Sequence, residues 1–417
     1  MRILYLCHRI PFPPDKGDKI RSYHQVEFLG RRHEVDLFTL IDDAADREHV
    51  GPLGALVRNL HVETVNAKIQ RLRSLGGLVT GEPLSVRAFA DRRLQAAVTD
   101  ALQRESYDLA LVFSSNMTPY LGDWDGPRAY DFVDVDSAKW TAYAETAKPP
   151  MNMLYAREGR RLRALEAAAA ARAELTVVCA DKEREELLAF CRPRRVETVP
   201  NGTDVEFFKP AESDLEPTDV VFTGAMDYRA NVDAVTWFVE QCLPRLAELR
   251  PGVRVAVVGS NPTRDVQALG NHPGVTVTGR VPDVRPWLRA AKVSVAPLRV
   301  ARGIQNKVLE AMACGVPVVA TTAALGGIVA PGSPLGPDAA VRVDEPSAFA
   351  DAVSNLLGDA AERARRGAEG REWVVQHFDW ESRLMQLESL LLDVASRRSR
   401  DAVEDDEGAG VPTEAPS

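Results

Sequence analysis

Cysteine is scarce in this chain and scattered. The five cysteines, Cys7, Cys179, Cys191, Cys242 and Cys314, form no Cys-x-x-Cys pair and no Cys/His spacing suited to zinc. They read as reduced thiols of a cytoplasmic protein. Long apolar runs are also missing, so no stretch can span a bilayer and any membrane contact has to be peripheral. The opening Met1–Cys7 is too short for a secretory signal and runs into His8, Arg9 and a proline cluster, which suits a buried first strand. Basic excess is absent: the net charge of −9 argues against general nucleic-acid binding. No strand candidate is followed by G-x-G-x-x-G, which disfavours a nicotinamide oxidoreductase. There is no P-loop and no nucleophile elbow. The seven histidines show no metal-ligand spacing, and only His8, just past the first strand, falls near an expected ligand cleft.

What the chain does have is alternation. With 417 residues it is too long for one compact core and suits two domains. Strands are expected at 3–7, 34–39, 109–113, 129–135 and 175–179 in the first half, with helical stretches such as 20–30 and 92–105 between them. The second half repeats the scheme at 219–222, 253–258, 275–278, 293–296 and 316–320, with a helix over 232–250 kinked at Pro244. Strand, helix and strand in succession imply right-handed crossovers and parallel sheets. The predicted fold class is α/β, two doubly wound Rossmann-like domains facing each other across a cleft. Expected boundaries are 1–207 for the first domain, 208–217 for a linker bounded by Pro210 and Pro217, and 218–370 for the second domain. A C-terminal helix over 371–398, free to cross back to the first domain, and a disordered acidic tail over 399–417 complete the plan.

In open parallel sheets ligands sit beyond the carboxyl ends of the strands, where helix N-termini favour anions. Three second-half loops have the right form. One runs from Phe222 through Gly224 to Asn231; Gly224 would admit a ligand close to the backbone and Arg229 could pair with phosphate, or the segment is a plain glycine turn with a solvated arginine. The second is Gly279-Arg280-Val281-Pro282-Asp283, whose backbone near Val281 could meet a base edge, although an ordinary strand-to-helix turn would look the same. The third, Pro297 through Thr321, carries Arg302-Gly303-Ile304-Gln305-Asn306-Lys307 into a short helix that Gly315 should end. Lys307 and Glu310 lie three apart and share a helix face. A carboxylate so placed can accept both ribose hydroxyls and the lysine can meet phosphate; a surface Lys–Glu pair is the plain alternative.

That segment resembles the donor site of family-4-type glycosyltransferases, which have the GT-B fold. Their Leu-Glu-Ala-Met-Ala-x-Gly-x-Pro-Val-Val-Ala run is matched from Leu309 to Ala320, and Val199-Pro200-Asn201-Gly202-Thr203-Asp204, the Gly224 loop, Gly279–Asp283 and His33-Glu34-Val35 follow the family in order. The resemblance implies a sugar transferase, retaining and metal-independent, with no cofactor and a UDP- or GDP-linked sugar as donor. It implies that Glu310 holds the donor ribose and that the Gly224 loop and Ile304–Lys307 hold the diphosphate. Two departures stand out. The first family glutamate falls on Arg302, so that role is not carried over; Arg302 could bind phosphate or an acidic sugar instead. The usual Arg…Lys-Gly reads Arg229-Ala230-Asn231, and Lys307 could restore the missing charge from the neighbouring loop. Ala301–Lys307 together with Asp131–Ser137 resembles the transferases associated with exosortase (PEP-CTERM) and exopolysaccharide systems. Expected partners are therefore the nucleotide-sugar donor and a lipid-linked or polysaccharide acceptor at the inner face of the cytoplasmic membrane. A nucleotide-sugar 2-epimerase and a catalytically idle binding protein are the competing readings.

In the first half, Asp134 and Asp136 invite comparison with a metal-binding D-x-D pair, but their place at a first-domain strand end favours orienting an acceptor hydroxyl or the sugar, or simply capping a helix. The loop Pro11–Arg21 offers Gly17 for close backbone approach and Lys19 and Arg21 as cations for diphosphate or acceptor. Lys68–Arg73 and Arg87–Arg93 make a basic region with interspersed leucines, suited to an anionic membrane or to a solvated helix packed on its own core.

Overall fold

The computed structural model describes residues 1–14, 17–301, 303–328 and 339–408. Arg302 lies outside the described residues, as do the last nine residues of the acidic tail.

The chain divides into two compact units. The first comprises Met1–Cys179, Glu183–Val199 and the chain from Leu384 onward; the second comprises Ala180–Lys182 and Pro200–Arg383. The segment 208–217, expected as a linker, is bound to the second unit instead: Ser213 Oγ donates to the Pro286 carbonyl at 2.8 Å and Arg289 Nε to the Lys209 carbonyl at 3.0 Å.

The first unit is built on seven strands: β1 (Arg2–Cys7), β2 (Glu34–Ile41), β3 (Asn59–Thr64), β4 (Leu109–Phe113), β5 (Arg128–Val133), β6 (Leu175–Val178) and β7 (Val196–Thr198). Their order is β3-β2-β1-β4-β5-β6-β7, every pair parallel. All five residues of β4 are buried, the continuous apolar run that a strand covered on both faces requires. The helix Arg92–Arg104 lies against this sheet through Leu94 and Val98, and Asp91 starts it by accepting from the Arg93 and Leu94 amides.

The second unit repeats the winding with β8 (Thr218–Thr223), β9 (Val255–Val258), β10 (Val275–Gly279), β11 (Ala291–Ala296), β12 (Val318–Ala320) and β13 (Ala340–Arg342), ordered β10-β9-β8-β11-β12-β13. These strands are parallel too. Both units are thus doubly wound α/β sheets. The strands that pattern reading misses, β3, β7 and β13, are all sheet edges, where one flank needs no partner and polar residues are tolerated.

Two helical expectations change. The helix expected over 232–250 is Arg229–Trp237, one π-helical stretch Phe238–Cys242, and Leu243–Leu249. Pro244 has no N–H to give the Glu240 carbonyl, and the widened turn absorbs the mismatch just before it. The C-terminal helix expected over 371–398 is two: Ala360–Phe378 and Trp380–Gly408. The break falls at extended Asp379, whose carboxylate accepts from the Ser382 amide and whose strand-like bridge to Thr203 interrupts the helix. Helix also continues to Gly408 through residues expected to be disordered. Asp401-Ala402-Val403-Glu404 holds no helix breaker.

Candidate functional site

The order of the second sheet reverses between β8 and β11, its first and fourth strands, and ligands in such sheets lodge beyond the carboxyl ends at that reversal. The two loops leaving this point are the ones singled out by sequence: Gly224–Tyr228 after β8, and Pro297–Gln305 after β11. Gly224 N donates to the Val258 carbonyl at 3.0 Å and Met226 N to the Ser260 carbonyl at 2.7 Å, which fixes the first loop against the end of β9. Gly259 makes this fit possible, because a Cβ there would stand 1.7 Å from the Gly224 oxygen. Asn231 Nδ2 closes the loop from the far side by donating to the Ala225 carbonyl at 2.9 Å.

Into this loop comes Lys307. Its ammonium hydrogen-bonds Asn231 Oδ1 and lies 4.5 Å from the centroid of the Phe222 ring. A Cβ on Gly224 would come within 3.1 Å of that nitrogen, so the glycine is what lets the lysine in. Lys307 is the second residue of the helix Asn306–Ala313, and no side chain caps the start of that helix. Burial lowers the Lys307 ammonium to about 7, with Glu310 opposing, and raises the Glu310 carboxyl to about 7, with Lys307 opposing. Both side chains keep some open surface, so water offsets part of the burial. The Lys–Glu pair is therefore no solvated surface couple. Gly315, in the left-handed region at φ 74°, ends the helix with Val316 N donating to Ala311 O and Gly315 N to Met312 O.

The remaining sequence-singled residues are distributed as follows. Arg229 opens the helix after the Gly224 loop and is exposed. Val281 follows β10 on the same sheet edge and packs partly into the core. Gly303 adopts φ 60°, and its carbonyl would be 1.9 Å from a Cβ on Gly327. The Ile304 side chain is 8% exposed and belongs to the core, so only its backbone can serve a diphosphate. Gln305 occupies the cap position of the helix and makes no cap bond.

In the first unit two expectations are corrected. Lys19 and Arg21 do not serve a ligand: Lys19 pairs with Asp46 at 2.8 Å and Arg21 with Asp131 at 2.7 Å, and both cations are about fully buried. The helix Gly17–Gly30 begins at the glycine and points those side chains inward within its first turn and a half. Asp134 and Asp136 lie beyond β5. Asp134 Oδ1 accepts from the Cys179 thiol at 3.2 Å, and Asp136, the first residue of helix Asp136–Thr146, accepts from Ser115 Oγ at 3.5 Å. Val135 holds the cap position with no side-chain bond, so neither aspartate caps the helix. Burial raises the Asp136 carboxyl, Asp134 adds to the rise, and Lys139 and His8 oppose it. His8 stacks on Phe113, centroids 6.0 Å apart, just past β1. Among the described residues no group of three His, Cys, Asp or Glu side chains is placed to hold a metal ion. Ser114 and Val133, at φ 78° and 64°, are backbone-strained at the ends of β4 and β5, a signal no residue type announces.

Residues 217–359 match the family model described as Glycosyl transferases group 1. That stretch lies within the second unit. Curated relatives are similar as well. The chain is 30% identical over 220 residues to D-inositol 3-phosphate glycosyltransferase 1 of Catenulispora acidiphila, covering 47% of this chain and 52% of that one. It is 32% identical over 166 residues to the GDP-mannose-dependent alpha-(1-6)-phosphatidylinositol monomannoside mannosyltransferase of Mycolicibacterium smegmatis, covering 36% and 42%. The chain thus spans about half the length of the curated relatives it matches. Solved structures extend the likeness to the whole fold. Sucrose-phosphate synthase from Thermosynechococcus elongatus superposes with a TM-score of 0.69 at 21% identity, covering 95% of this chain and 100% of that one. Anabaena Alr3699/HepE in complex with UDP-glucose gives 0.65 at 17% identity, covering 94% and 100%. The fold is GT-B. Within residues 217–359, pattern reading missed Asn231 as the partner of Lys307 and Gly259 as the support of the Gly224 loop; Val-Val-Gly at the end of β9 was the available signal for the latter.

Proposed function

We propose that the protein is a glycosyltransferase that moves a sugar from a UDP- or GDP-linked donor to a lipid-linked or polysaccharide acceptor. One observation carries the reading: Lys307 enters the Gly224 loop at the strand-order reversal of the second unit, one turn from Glu310. In the proposed mechanism Lys307, Arg229 and the open start of the helix Asn306–Ala313 meet the diphosphate, and Glu310 accepts from the ribose hydroxyls. Fixed cations aimed at a departing diphosphate lower the barrier by stabilising charge as it develops. Lys307 arrives partly desolvated, and an anion beside it restores its full charge. Gly303 and Gln305 would flank the same phosphates, and Val281 the base. Asp134 and Asp136 would orient the acceptor hydroxyl or the transferred sugar, without a metal and with retention at the anomeric carbon. The named relatives, one acting on an inositol phosphate and one on a mannosylated phosphatidylinositol, support an acceptor of that kind. A place in exopolysaccharide assembly of the PEP-CTERM type, at the inner membrane face, completes the proposal.

The test is thermal stabilisation by a panel of nucleoside diphosphates, since selective binding to the native state raises apparent stability. UDP or GDP is expected to stabilise the wild type, and Glu310→Ala to lose roughly 10- to 100-fold in affinity, the scale of a hydrogen bond to a charged group. Full affinity in Glu310→Ala would overturn the donor site. Sugar epimerised in the absence of any acceptor would overturn the transfer.

A further inference from the structure

The turn that carries Asp134 and Asp136 is held from behind by three buried carboxylates. Asp131 Oδ1 accepts from the Val133 amide at 3.1 Å, Glu183 Oε2 from the Val135 amide at 2.7 Å and Glu166 Oε1 from the Ser137 amide at 3.1 Å. Alternate amides are thus bound inward, and Asp134 and Asp136 fall between them. Asp136 keeps open surface, whereas Glu166 has none. Glu166 lies on the helix Met151–Arg172, as does Glu158, and each holds the start of another helix. Glu158 uses both oxygens: Oε2 accepts from the Leu84 amide at 2.8 Å, and Oε1 from the Ser85 amide at 2.8 Å and the Ser85 hydroxyl at 2.7 Å, with Arg157 3.8 Å away. Glu166 differs. Its Oε2 is buried with no hydrogen-bond partner, and among the described residues no cation pairs with it.

A carboxylate oxygen buried without a donor or a cation is far costlier than the protonated acid. Burial raises the Glu166 carboxyl to about 8; Asp136 adds to the rise, and the Ser137 hydroxyl and the Ser137 and Asp136 amides oppose it. The Cys191 thiol, beyond the helix Asp181–Leu188, also feels the charge of Glu166. Asp136 is placed differently. Burial raises it too, and Asp134 adds, but Lys139 and His8 oppose, Ser115 Oγ donates to it at 3.5 Å and part of it meets solvent. Two interacting acids in unequal surroundings do not ionise together, and the proton stays on the one without compensation.

We infer that Glu166 is a positioning residue of the Asp134/Asp136 site: a neutral acid whose Oε1 fixes the Ser137 amide and which leaves Asp136 as the single charged carboxylate of the pair. The inference rests on the role proposed for Asp136 in sugar transfer and says what lets that group ionise. A neutral Glu166 puts no second negative charge behind Asp136, so Asp136 accepts from an uncharged hydroxyl while its backbone stays fixed.

Glu166→Gln tests it, because glutamine keeps the Oε1 acceptor, the shape and the neutrality. Thermal unfolding of the full chain without ligand is compared with the wild type from about pH 5 to about pH 8. Against an ordinary 4.5, the native state holds the Glu166 proton up to about 8, so the stability it contributes is full below 4.5 and falls as pH rises toward 8. Glutamine loses nothing over that range. The variant is therefore expected to gain on the wild type by at least about 2 °C between the two ends. A difference that stays flat, or that grows in favour of the wild type, would overturn the inference. Carboxyl-carbon NMR of the wild type gives a second reading that needs no variant at position 166: one glutamate signal besides that of Glu310 is expected to move only near 8, and its absence would overturn the inference equally. Turnover of UDP-glucose and GDP-mannose over the same range reports on positioning. Glu166→Gln is expected to move the alkaline limb of kcat to higher pH, and Glu166→Leu, which removes the acceptor, to lower kcat roughly tenfold with the donor KM unchanged. An alkaline limb identical in Glu166→Gln and the wild type would end the positioning role. A wild type that consumes neither sugar nucleotide would remove the transfer reading and leave the unfolding and NMR results to decide on Glu166, so either can fail alone.

Discussion

Lys307 hydrogen-bonds Asn231 across a separation of 76 residues, each near the start of the helix that follows one of the two strands at the order reversal of the second sheet. β8 and β11 become neighbours only in the folded sheet, so the cation at the Gly224 loop is a product of topology. A partly desolvated ammonium held beside an amide and an aromatic ring costs stability until an anion arrives. Lys307→Met is therefore expected to leave the ligand-free unfolding temperature unchanged or raised. The same variant should bind the preferred nucleoside diphosphate at least tenfold more weakly, following the ~1.5–3 kcal/mol of a charged hydrogen bond. Calorimetric titration and thermal unfolding of the two proteins check both halves.

The pair also sets a pH dependence. Glu310 holds its proton up to about 7 in the folded protein, against an ordinary 4.5. Between those values the native state binds a proton that the unfolded chain lacks, so stability falls as pH rises. Lys307 loses its proton near 7 instead of 10.5, so above 7 the unfolded chain binds the extra proton and stability rises again. The pair's own contribution is lowest near neutral pH, in a shallow dip given the open surface of both groups. Urea midpoints across this range should show the dip in the ligand-free wild type and lose it in Lys307→Met/Glu310→Gln. Identical profiles for the two proteins would mean that neither group is desolvated.

Gly224 and Gly259 separate a binding effect from a folding effect. A Cβ on Gly259 would lie 1.7 Å from a backbone oxygen, with no flexible atom to give way, and Gly259→Ala is expected to cost more than about 3 kcal/mol. A Cβ on Gly224 meets only the ends of side chains, Asn231 Nδ2 at 2.7 Å and Lys307 Nζ at 3.1 Å. Gly224→Ala should fold with a loss of about 1 kcal/mol and still lose nucleotide affinity, because the displaced atoms are the ones proposed to meet the phosphate. Denaturant unfolding and nucleotide titration of both variants distinguish the two.

The loops after β8 and β11 were legible because their signals are local. The Lys307–Glu310 spacing, the glycine that ends their helix and the glycine that opens the loop after β8 can each be read within a few residues, and the alternation of apolar runs orders the central strands. The first unit was read less well because its cations answer to distant partners. Lys19 and Arg21 look like loop residues beside a glycine, yet Asp46 and Asp131, 27 and 110 positions away, bury them. The basic stretch around Arg73 and Arg92 is likewise spread over three helices and the segment after β4, so composition showed its charge and only the fold shows which residues come together.

The buried pair Arg21–Asp131 converts that correction into a measurement. Arg21 is 1% exposed and Asp131 0%; Arg21 Nη1 also donates to the Val199 carbonyl at 2.9 Å, and Gln25 Nε2 donates to Asp131 at 2.6 Å while Tyr5 donates to Gln25 at 2.7 Å. Burial opposes the charge on Arg21 and Asp131 more than restores it, holding the guanidinium above its ordinary value. The network ties β1, β5, the first helix and the residue after β7 together. Removing one member leaves the other charge buried without a counter-ion, so Arg21→Met is expected to cost about 3–5 kcal/mol. Replacing both, as Arg21→Met/Asp131→Leu, should recover a large part of that loss, and the double-mutant cycle isolates the coupling. Nucleotide stabilisation should persist in every folded variant, because the residues proposed to hold the donor lie in the other unit. An Arg21→Met protein as stable as the wild type, yet unable to bind substrate, would return Arg21 to the ligand-binding role that its loop position suggests.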